Sequence, residues 1–124
     1  MPAPAEIRET IERYVKLLSA GDVDGVMGLF AEEVSLEDPV GGTALEGADA
    51  VRAFYGAMAG KLSVQLTGPI RVAGVEAAFP MLARVELGEQ PSEMDVIDVM
   101  KFGDGGKVVS MRAFWNPAEM RPVS

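Results

Sequence analysis

The chain contains neither cysteine nor histidine. Without cysteine it has no disulfide, no thiolate metal ligand and no thiol nucleophile. Without histidine it lacks the usual general base, the commonest metal ligand and any Ser-His-Asp triad. Acid–base chemistry in this chain must therefore use Asp, Glu, Tyr or Lys.

Positive charge is also scarce, since 11 basic residues stand against 19 acidic ones and leave a net charge of −8. Such a field repels nucleic-acid phosphates and anionic lipids, so we expect neither nucleic acid nor a membrane as a partner. The best apolar run is interrupted by Glu76 and Arg84, well short of the roughly 20 residues that span a bilayer. The first residues carry no basic and apolar signal pattern, which favours a cytoplasmic location.

The 124 residues fit one domain, and we expect a single domain over residues 1–124. Apolar residues at helical spacing predict three helices in the first half of the chain, the second beginning after Gly21-Asp22 and the third near Gly47. Their inner faces carry Ile7, Ile11, Tyr14, Val15 and Leu18, then Val23, Val26, Met27 and Phe30, and then Val51, Phe54, Tyr55 and Met58.

From Glu33 the pattern alternates with period two, which predicts a strand that Pro39 ends. More alternating segments follow the third helix, and the glycine-rich segment Gly103–Gly106 indicates a hairpin. Helices first and strands later are typical of an α+β layer fold. The remaining predicted strands are Leu62–Thr67, Ile70–Val75, Ala77–Leu87, Met94–Phe102 and Lys107–Trp115.

Three polar residues lie on faces that are otherwise apolar. Asp38 is the last residue on the inner face of the first strand, and Asp98 interrupts the apolar face of the Met94–Phe102 strand. Tyr14 lies on the inner face of the first helix. A buried carboxyl group either finds donors or takes up a proton. A protonated Asp beside a Tyr hydroxyl can stabilise an oxyanion, while a second Asp that stays ionised can act as a base.

Each of these residues also has an ordinary explanation. An Asp before Pro commonly forms a turn, as Asp38 would. A Tyr on a helix face, such as Tyr14, is commonly a core residue whose hydroxyl is satisfied. Asp98 is harder to explain because Asp is disfavoured in the middle of a strand, although a nearby loop or a shifted register would remove the anomaly. The pattern alone leaves the catalytic and the structural interpretations open.

Several short motifs carry a family resemblance, and the most specific are Glu37-Asp38-Pro39-Val40-Gly41, the helical Tyr14 and the late Ile97-Asp98, in this order. With them the chain resembles the bacterial delta-5-3-ketosteroid isomerases over nearly its whole length. The resemblance implies a cystatin-like, or nuclear-transport-factor-2-like, fold. That fold is a cone-shaped α+β domain with three N-terminal helices packed on a strongly curved, mostly antiparallel sheet. The other matching stretches are Arg13–Val15, Ala20–Gly25, Leu29–Ala31, Arg52–Tyr55, Ala77–Phe79 and Gly106–Ala113.

The resemblance implies a cofactor-independent isomerase of steroid and lipid metabolism, so we expect neither a metal nor a cofactor. Asp38 would be the general base that moves a proton of a delta-5-3-ketosteroid to give the conjugated delta-4 isomer. Tyr14 and a protonated Asp98 would form the oxyanion hole for the dienolate oxygen, and Tyr55 would donate a hydrogen bond to Tyr14. Ketosteroid isomerase is itself the reference example of an Asp kept protonated by an apolar site, so this assignment comes from the resemblance.

The expected partner is a small apolar ligand, a 3-ketosteroid. Met81 stands where the resemblance would place an aromatic residue, which bears on substrate fit. A homodimer is also implied, and Ile97 and Val99 on the outer face of their strand are suited to pairing. A sheet face that is covered within the monomer would explain these two residues equally well. We expect the substrate pocket to be lined by Val34, Leu36, Phe54, Met81, Val96, Met100 and Trp115.

Two other functions remain open, because one fold hosts many activities. The chain could be a non-catalytic binder of a flat apolar ligand. It could also be a polyketide cyclase or an epoxide hydrolase. An epoxide hydrolase would need an Asp–Arg–Asp cluster around a water molecule, for which Arg71, Arg84 and Arg112 are available.

Overall fold

The computed structural model describes residues 1–123, which form three α-helices: α1 (Pro4–Ser19), α2 (Val23–Met27) and α3 (Ala48–Met58). Helix α2 begins directly after Asp22, as predicted. Asp22 caps this helix, because its Oδ1 accepts the backbone N–H of Gly25 at 2.8 Å. The prediction that Phe30 lies on this helix is wrong. The helix ends at Met27, and Phe30 opens the first strand, where it pairs with Val108.

Within the described residues the sheet has eight strands. They follow one another in the order β2-β1-β7-β6-β5-β3, while β4 pairs with β5 and β8 pairs with β6. The pairing of β1 with β7 is parallel and the other pairings are antiparallel. The strands are β1 (Phe30–Glu37), β2 (Leu45–Glu46), β3 (Leu62–Leu66), β4 (Arg71–Ala73), β5 (Glu76–Val85), β6 (Ser92–Phe102), β7 (Val108–Phe114) and β8 (Arg121–Pro122).

The predicted fold class is confirmed: helices pack against a curved, mostly antiparallel sheet in an α+β arrangement. Each predicted strand is present, and β1 begins three residues earlier than expected, at Phe30 instead of Glu33. The strands β2 and β8 were not expected, because two residues are too few to show an alternating pattern. No helix of residues 1–123 is long and apolar enough to cross a bilayer.

The core lies between the inner face of the sheet and the helices. Along β6 the burial alternates, so that Val96 and Asp98 point inward while Asp95 and Ile97 are exposed. From α1, Ile7 and Ile11 are fully buried against this face. Burial of such a side chain contributes about 1.5–3 kcal/mol. This packing fixes the direction in which the polar residues of the inner face point.

Candidate active site

An apolar cleft lies between the inner face of the sheet and the helices α1 and α3. Its cavity volume is about 80 Å³, and about 490 Å³ of free space is present when the open mouth is included. Tyr14, Asp38 and Asp98 all line this cleft. The sequence pattern singled out these three polar residues in three separate elements. The structure brings them together in the lining of one cleft.

Tyr14 is buried in α1, and its hydroxyl oxygen lies 2.9 Å from that of Tyr55 in α3. The two rings meet edge to face, with centroids 6.3 Å apart. Burial raises the pKa of both phenols, so both remain protonated at neutral pH. Only one of the two hydroxyl protons can lie between the oxygens. The other phenolic proton remains available to a ligand in the cleft.

Asp98 lies in the middle of β6 and is only 2% exposed. The alternation of the strand turns it inward, between Val96 and Met100, and its partners on the neighbouring strands are Phe79 and Ala113. Burial in these surroundings raises the pKa of Asp98 well above its ordinary value, and the charge of Asp38 raises it further. Both influences favour the protonated form of this carboxyl group, which can donate a hydrogen bond.

Asp38 follows β1 directly and is only partly exposed. Its loop is joined to β7 by a hydrogen bond of 2.8 Å from the backbone N–H of Val40 to the carbonyl of Ala113. The indole N–H of Trp115 donates to Oδ1 of Asp38 at 2.6 Å. Burial raises the pKa of Asp38, while the Trp115 hydrogen bond lowers it. Asp38 is thus the carboxyl group of the pair that ionises more readily.

Comparison with known proteins identifies the family of this fold and cleft. A model of the SnoaL-like domain matches residues 11–111. The chain belongs to the SnoaL-like domain family. The steroid delta-isomerase of Nocardioides simplex is 39% identical over 94% of both chains. The resemblance to ketosteroid isomerases is therefore confirmed, and so is the nuclear-transport-factor-2-like fold.

Other relatives of this SnoaL-like chain have different names. The epoxide hydrolase LasB of Streptomyces lasalocidi is 28% identical over 96% of this chain, which spans only about half of that protein. The solved structure of SalBIII, described as an epoxide hydrolase/cyclase-like enzyme, covers 99% of this chain with a TM-score of 0.89 and 23% identity. At that identity it shows the fold alone. The relatives named here are all enzymes, as expected for this chain.

The seven predicted pocket residues divide into two groups. Phe54, Met81, Val96 and Trp115 line the cleft. The others, Val34, Leu36 and Met100, lie away from it and are almost completely buried in the core, at 0%, 1% and 0% exposure.

The strand register explains this division. Asp98 pairs with Ala113 of β7, and both line the cleft. One inward position further along these strands, Leu36, Met111 and Met100 form the next row across the sheet. That row is fully packed and lies outside the cleft. Sharing a face with Asp98 was therefore not enough to place a residue in the pocket.

Two features of the cleft were missed from the sequence. Met58 and Met94 also line the cleft. The sequence pattern placed both residues on inner faces, but it did not show whether they belong to the pocket or to the core. The hydrogen bond from Trp115 to Asp38 was missed as well. It depends on the parallel pairing of β1 with β7, for which the sequence has no short-range signal.

Proposed function

We propose that this protein is a steroid delta-isomerase that converts a delta-5-3-ketosteroid into the conjugated delta-4-3-ketosteroid. One observation carries the proposal: a single apolar cleft holds Asp38 together with Tyr14 and Asp98, whose burial favours their protonated forms. Two carboxyl groups with different protonation preferences supply a base and a hydrogen-bond donor in the same site. The 39% identity to a steroid delta-isomerase supports the same assignment.

In the first step, the carboxylate of Asp38 takes a proton from the carbon between the ketone and the alkene. The electrons of that C–H bond move toward the ketone and form a dienolate, whose oxygen carries the negative charge. The hydroxyl of Tyr14 and the carboxyl of Asp98 donate hydrogen bonds to this oxygen. Because the site is apolar, such donors stabilise the charge far better than water would.

In the second step, the protonated Asp38 returns the same proton to the far end of the conjugated system. The dienolate electrons form the new carbon–hydrogen bond there and restore the ketone. The double bond now lies next to the carbonyl. No net proton or electron is gained or lost, so the cycle ends with Asp38 ionised again.

The shape of the cleft favours a flat apolar ligand whose ketone enters first. The enclosed cavity of about 80 Å³ is smaller than a steroid, so most of the ligand would lie in the wider mouth, where the free space reaches about 490 Å³. Met58, Met81 and Met94 line the cleft, and their flexible thioether side chains can adapt to the ligand. The expected partner is therefore a 3-ketosteroid held with its ring edge deep in the site.

An epoxide hydrolase site is less well supported. Arg84 pairs with Glu86 at 3.5 Å and Arg112 pairs with Glu37 at 3.1 Å, both on the surface. None of the cleft-lining residues within 1–123 is an arginine. The cluster of two acids and one arginine around a water is thus unsupported. A pure binding protein could use Tyr14 and Asp98 as donors to a ligand oxygen. It would have no use for Asp38, a second carboxyl group whose burial is costly.

The proposal extends to a homodimer that acts in the cytoplasm; the location is inferred from the sequence alone. The outer face of the sheet carries Ile97 at 50% exposure and Phe114 at 41%, and these two residues are direct neighbours on β6 and β7. Exposed apolar side chains on adjacent strands suit a two-fold interface, in which the same patch meets itself.

The reaction is tested with purified protein and a delta-5-3-ketosteroid, by following the ultraviolet absorbance of the conjugated product. A terminal epoxide with an internal hydroxyl group serves as the competing substrate. Steroid turnover without epoxide opening supports the proposal. Epoxide opening without steroid turnover contradicts it and favours the hydrolase/cyclase alternative.

A further inference from the structure

Asp38 and Glu37 are neighbours in sequence but lie on opposite sides of the sheet. Asp38 points into the cleft, whereas Glu37 is on the outer face, as expected for consecutive residues at the end of a strand. Oε1 of Glu37 accepts the Nε–H of Arg112 at 3.1 Å. Oε2 accepts the backbone N–H of Gly41 at 3.1 Å. One carboxylate therefore joins β7 to the far side of the loop that carries Asp38.

This loop has few other attachments. The backbone N–H of Val40 donates to Ala113 at 2.8 Å, and that of Gly42 donates to Pro39 at 3.0 Å. Gly41 has a φ of 99°, and no atom beyond Gly41 itself and its two chain neighbours lies within 4 Å of where its Cβ would be. No side chain packs over this point, so the loop relies on polar contacts to keep its position. Glu37, whose side chain lies outside the cleft, makes two hydrogen bonds: one with Gly41 of the loop and one with Arg112 of β7.

Arg112 is the second partner of the Glu37 carboxylate. Its guanidinium lies over the ring of Phe114, 5.2 Å from the centroid, and its neighbour on β6 is Val99. The pKa of Glu37 is lowered by the Gly41 N–H and by Arg112, so the carboxylate stays ionised. Strand β7 and the residue that follows it thus contact the Asp38 loop from both sides of the sheet. Trp115 contacts the loop on the inside, and Arg112 contacts it on the outside through Glu37.

We propose that Glu37 is a positioning residue that holds the Asp38 carboxylate in its reactive place by tying the loop to Arg112. The proposal rests on the isomerase function and adds a residue that touches no substrate. A displacement of the base by about 1 Å can cost on the order of 10²-fold in rate. An exposed ion pair contributes little to stability. The effect of Glu37 should therefore appear in kcat and in the surroundings of Asp38, with little change in folding.

Two variants and a control test this role. Glu37→Ala removes both hydrogen bonds, while Glu37→Gln keeps an oxygen that can accept from Gly41 and loses the charge that pairs with Arg112. Glu86→Ala is the matched control, because it breaks another exposed ion pair, with Arg84, away from the cleft. Steroid kcat and KM are measured for each variant, together with affinity for a phenolic steroid.

A second readout needs no steroid. Trp115 is the only tryptophan in the chain, and its indole donates to Asp38. Its fluorescence should therefore change as Asp38 titrates, and Asp38→Asn should remove that change. This readout follows the position of Asp38 even in a protein that does not turn over the steroid. A failure of the isomerase function can therefore be distinguished from a failure of the positioning role of Glu37.

We expect Glu37→Ala to lower kcat about tenfold, since it displaces the base without removing it. KM and phenolic-steroid affinity should stay within about twofold, and the amplitude of the Trp115 titration should fall. Glu37→Gln should lie between wild type and Glu37→Ala, and Glu86→Ala should match wild type. A wild-type Trp115 titration in Glu37→Ala would overturn the proposal, whether or not kcat changed. An equal effect of Glu86→Ala would overturn it too.

Discussion

The indole N–H of Trp115 donates a hydrogen bond of 2.6 Å to Oδ1 of Asp38, across the junction between β7 and the loop after β1. An indole can donate but cannot accept, so this contact favours the ionised form of the carboxyl. Burial acts in the opposite direction and is the larger influence on the pKa of Asp38. The balance leaves a carboxylate that can act as a base inside an apolar cleft.

Replacement of Trp115 by Phe should raise the pKa of Asp38 further, because burial then acts without the opposing hydrogen bond. The base must be ionised to work, so the acidic limb of the kcat/KM profile should move to higher pH. Phe54→Leu is the control, since Phe54 lines the cleft and makes no hydrogen bond to Asp38. An unchanged acidic limb in Trp115→Phe would contradict the assignment of Asp38 as the titrating base.

Replacement of Tyr14 by Phe should lower kcat by about 10²–10³-fold, the usual cost of one lost oxyanion donor. Tyr55→Phe should have a smaller effect, because it removes only the partner of the Tyr14 hydroxyl. Both changes delete a single oxygen and keep the ring packing. Steady-state kinetics with the steroid measures both losses of kcat. A greater loss of kcat in Tyr55→Phe than in Tyr14→Phe would make Tyr55, and not Tyr14, the oxyanion donor.

The pH dependence of stability should reveal the buried Asp98. Its pKa is higher in the folded state than in the unfolded state. Between those two values the folded protein binds more protons, so the free energy of unfolding falls as pH rises. Asp98→Asn removes this contribution, and the variant should gain stability relative to wild type as the pH is raised from 4 to 8. Asp38 contributes in the same direction to both proteins.

Urea unfolding of both proteins at several pH values measures this difference. The steroid turnover of Asp98→Asn offers a second comparison, since an amide still donates a hydrogen bond to the dienolate oxygen. Stability curves that run parallel for wild type and variant would show that Asp98 titrates normally in the folded protein.

The outer face of the sheet should hold two copies of the chain together. Ile97→Lys places a charge in the exposed patch beside Phe114, so it should convert a dimer into a monomer. Leu87→Lys is the control, because Leu87 is equally exposed, at 49%, in the segment after β5. Light scattering should give wild type and control about twice 13.1 kDa, and Ile97→Lys a single 13.1 kDa chain. A monomeric wild type would contradict the dimer.

Much of the site followed from periodicity alone. The inward positions of Asp98 and Tyr14 could be read from strand and helix spacing, because burial of one face imposes that spacing. The family resemblance was needed to assign them chemical roles. Their meeting with Asp38 in one cleft was beyond the sequence pattern, because it depends on how β1, β6 and α1 pack in three dimensions.

Other features required the structure. Leu36 and Met100 share their faces with Asp38 and Asp98, yet they fill a core row beneath the cleft. A sequence pattern shows which face a residue occupies and leaves its depth along the strand unknown. The contact between Trp115 and Asp38 could not be predicted from the sequence either. The two residues are 77 positions apart, and the parallel pairing of β1 with β7 brings them together.

The central claim is that Asp38 is the base of an isomerisation, and Asp38→Asn tests it most directly. The side chain keeps its size and loses its ability to take the proton. With a delta-5-3-ketosteroid, we predict that kcat falls by about 10²–10⁴-fold, the usual contribution of a general base. Affinity for a phenolic steroid should stay close to that of wild type. Wild-type kcat in the Asp38→Asn variant would contradict the account.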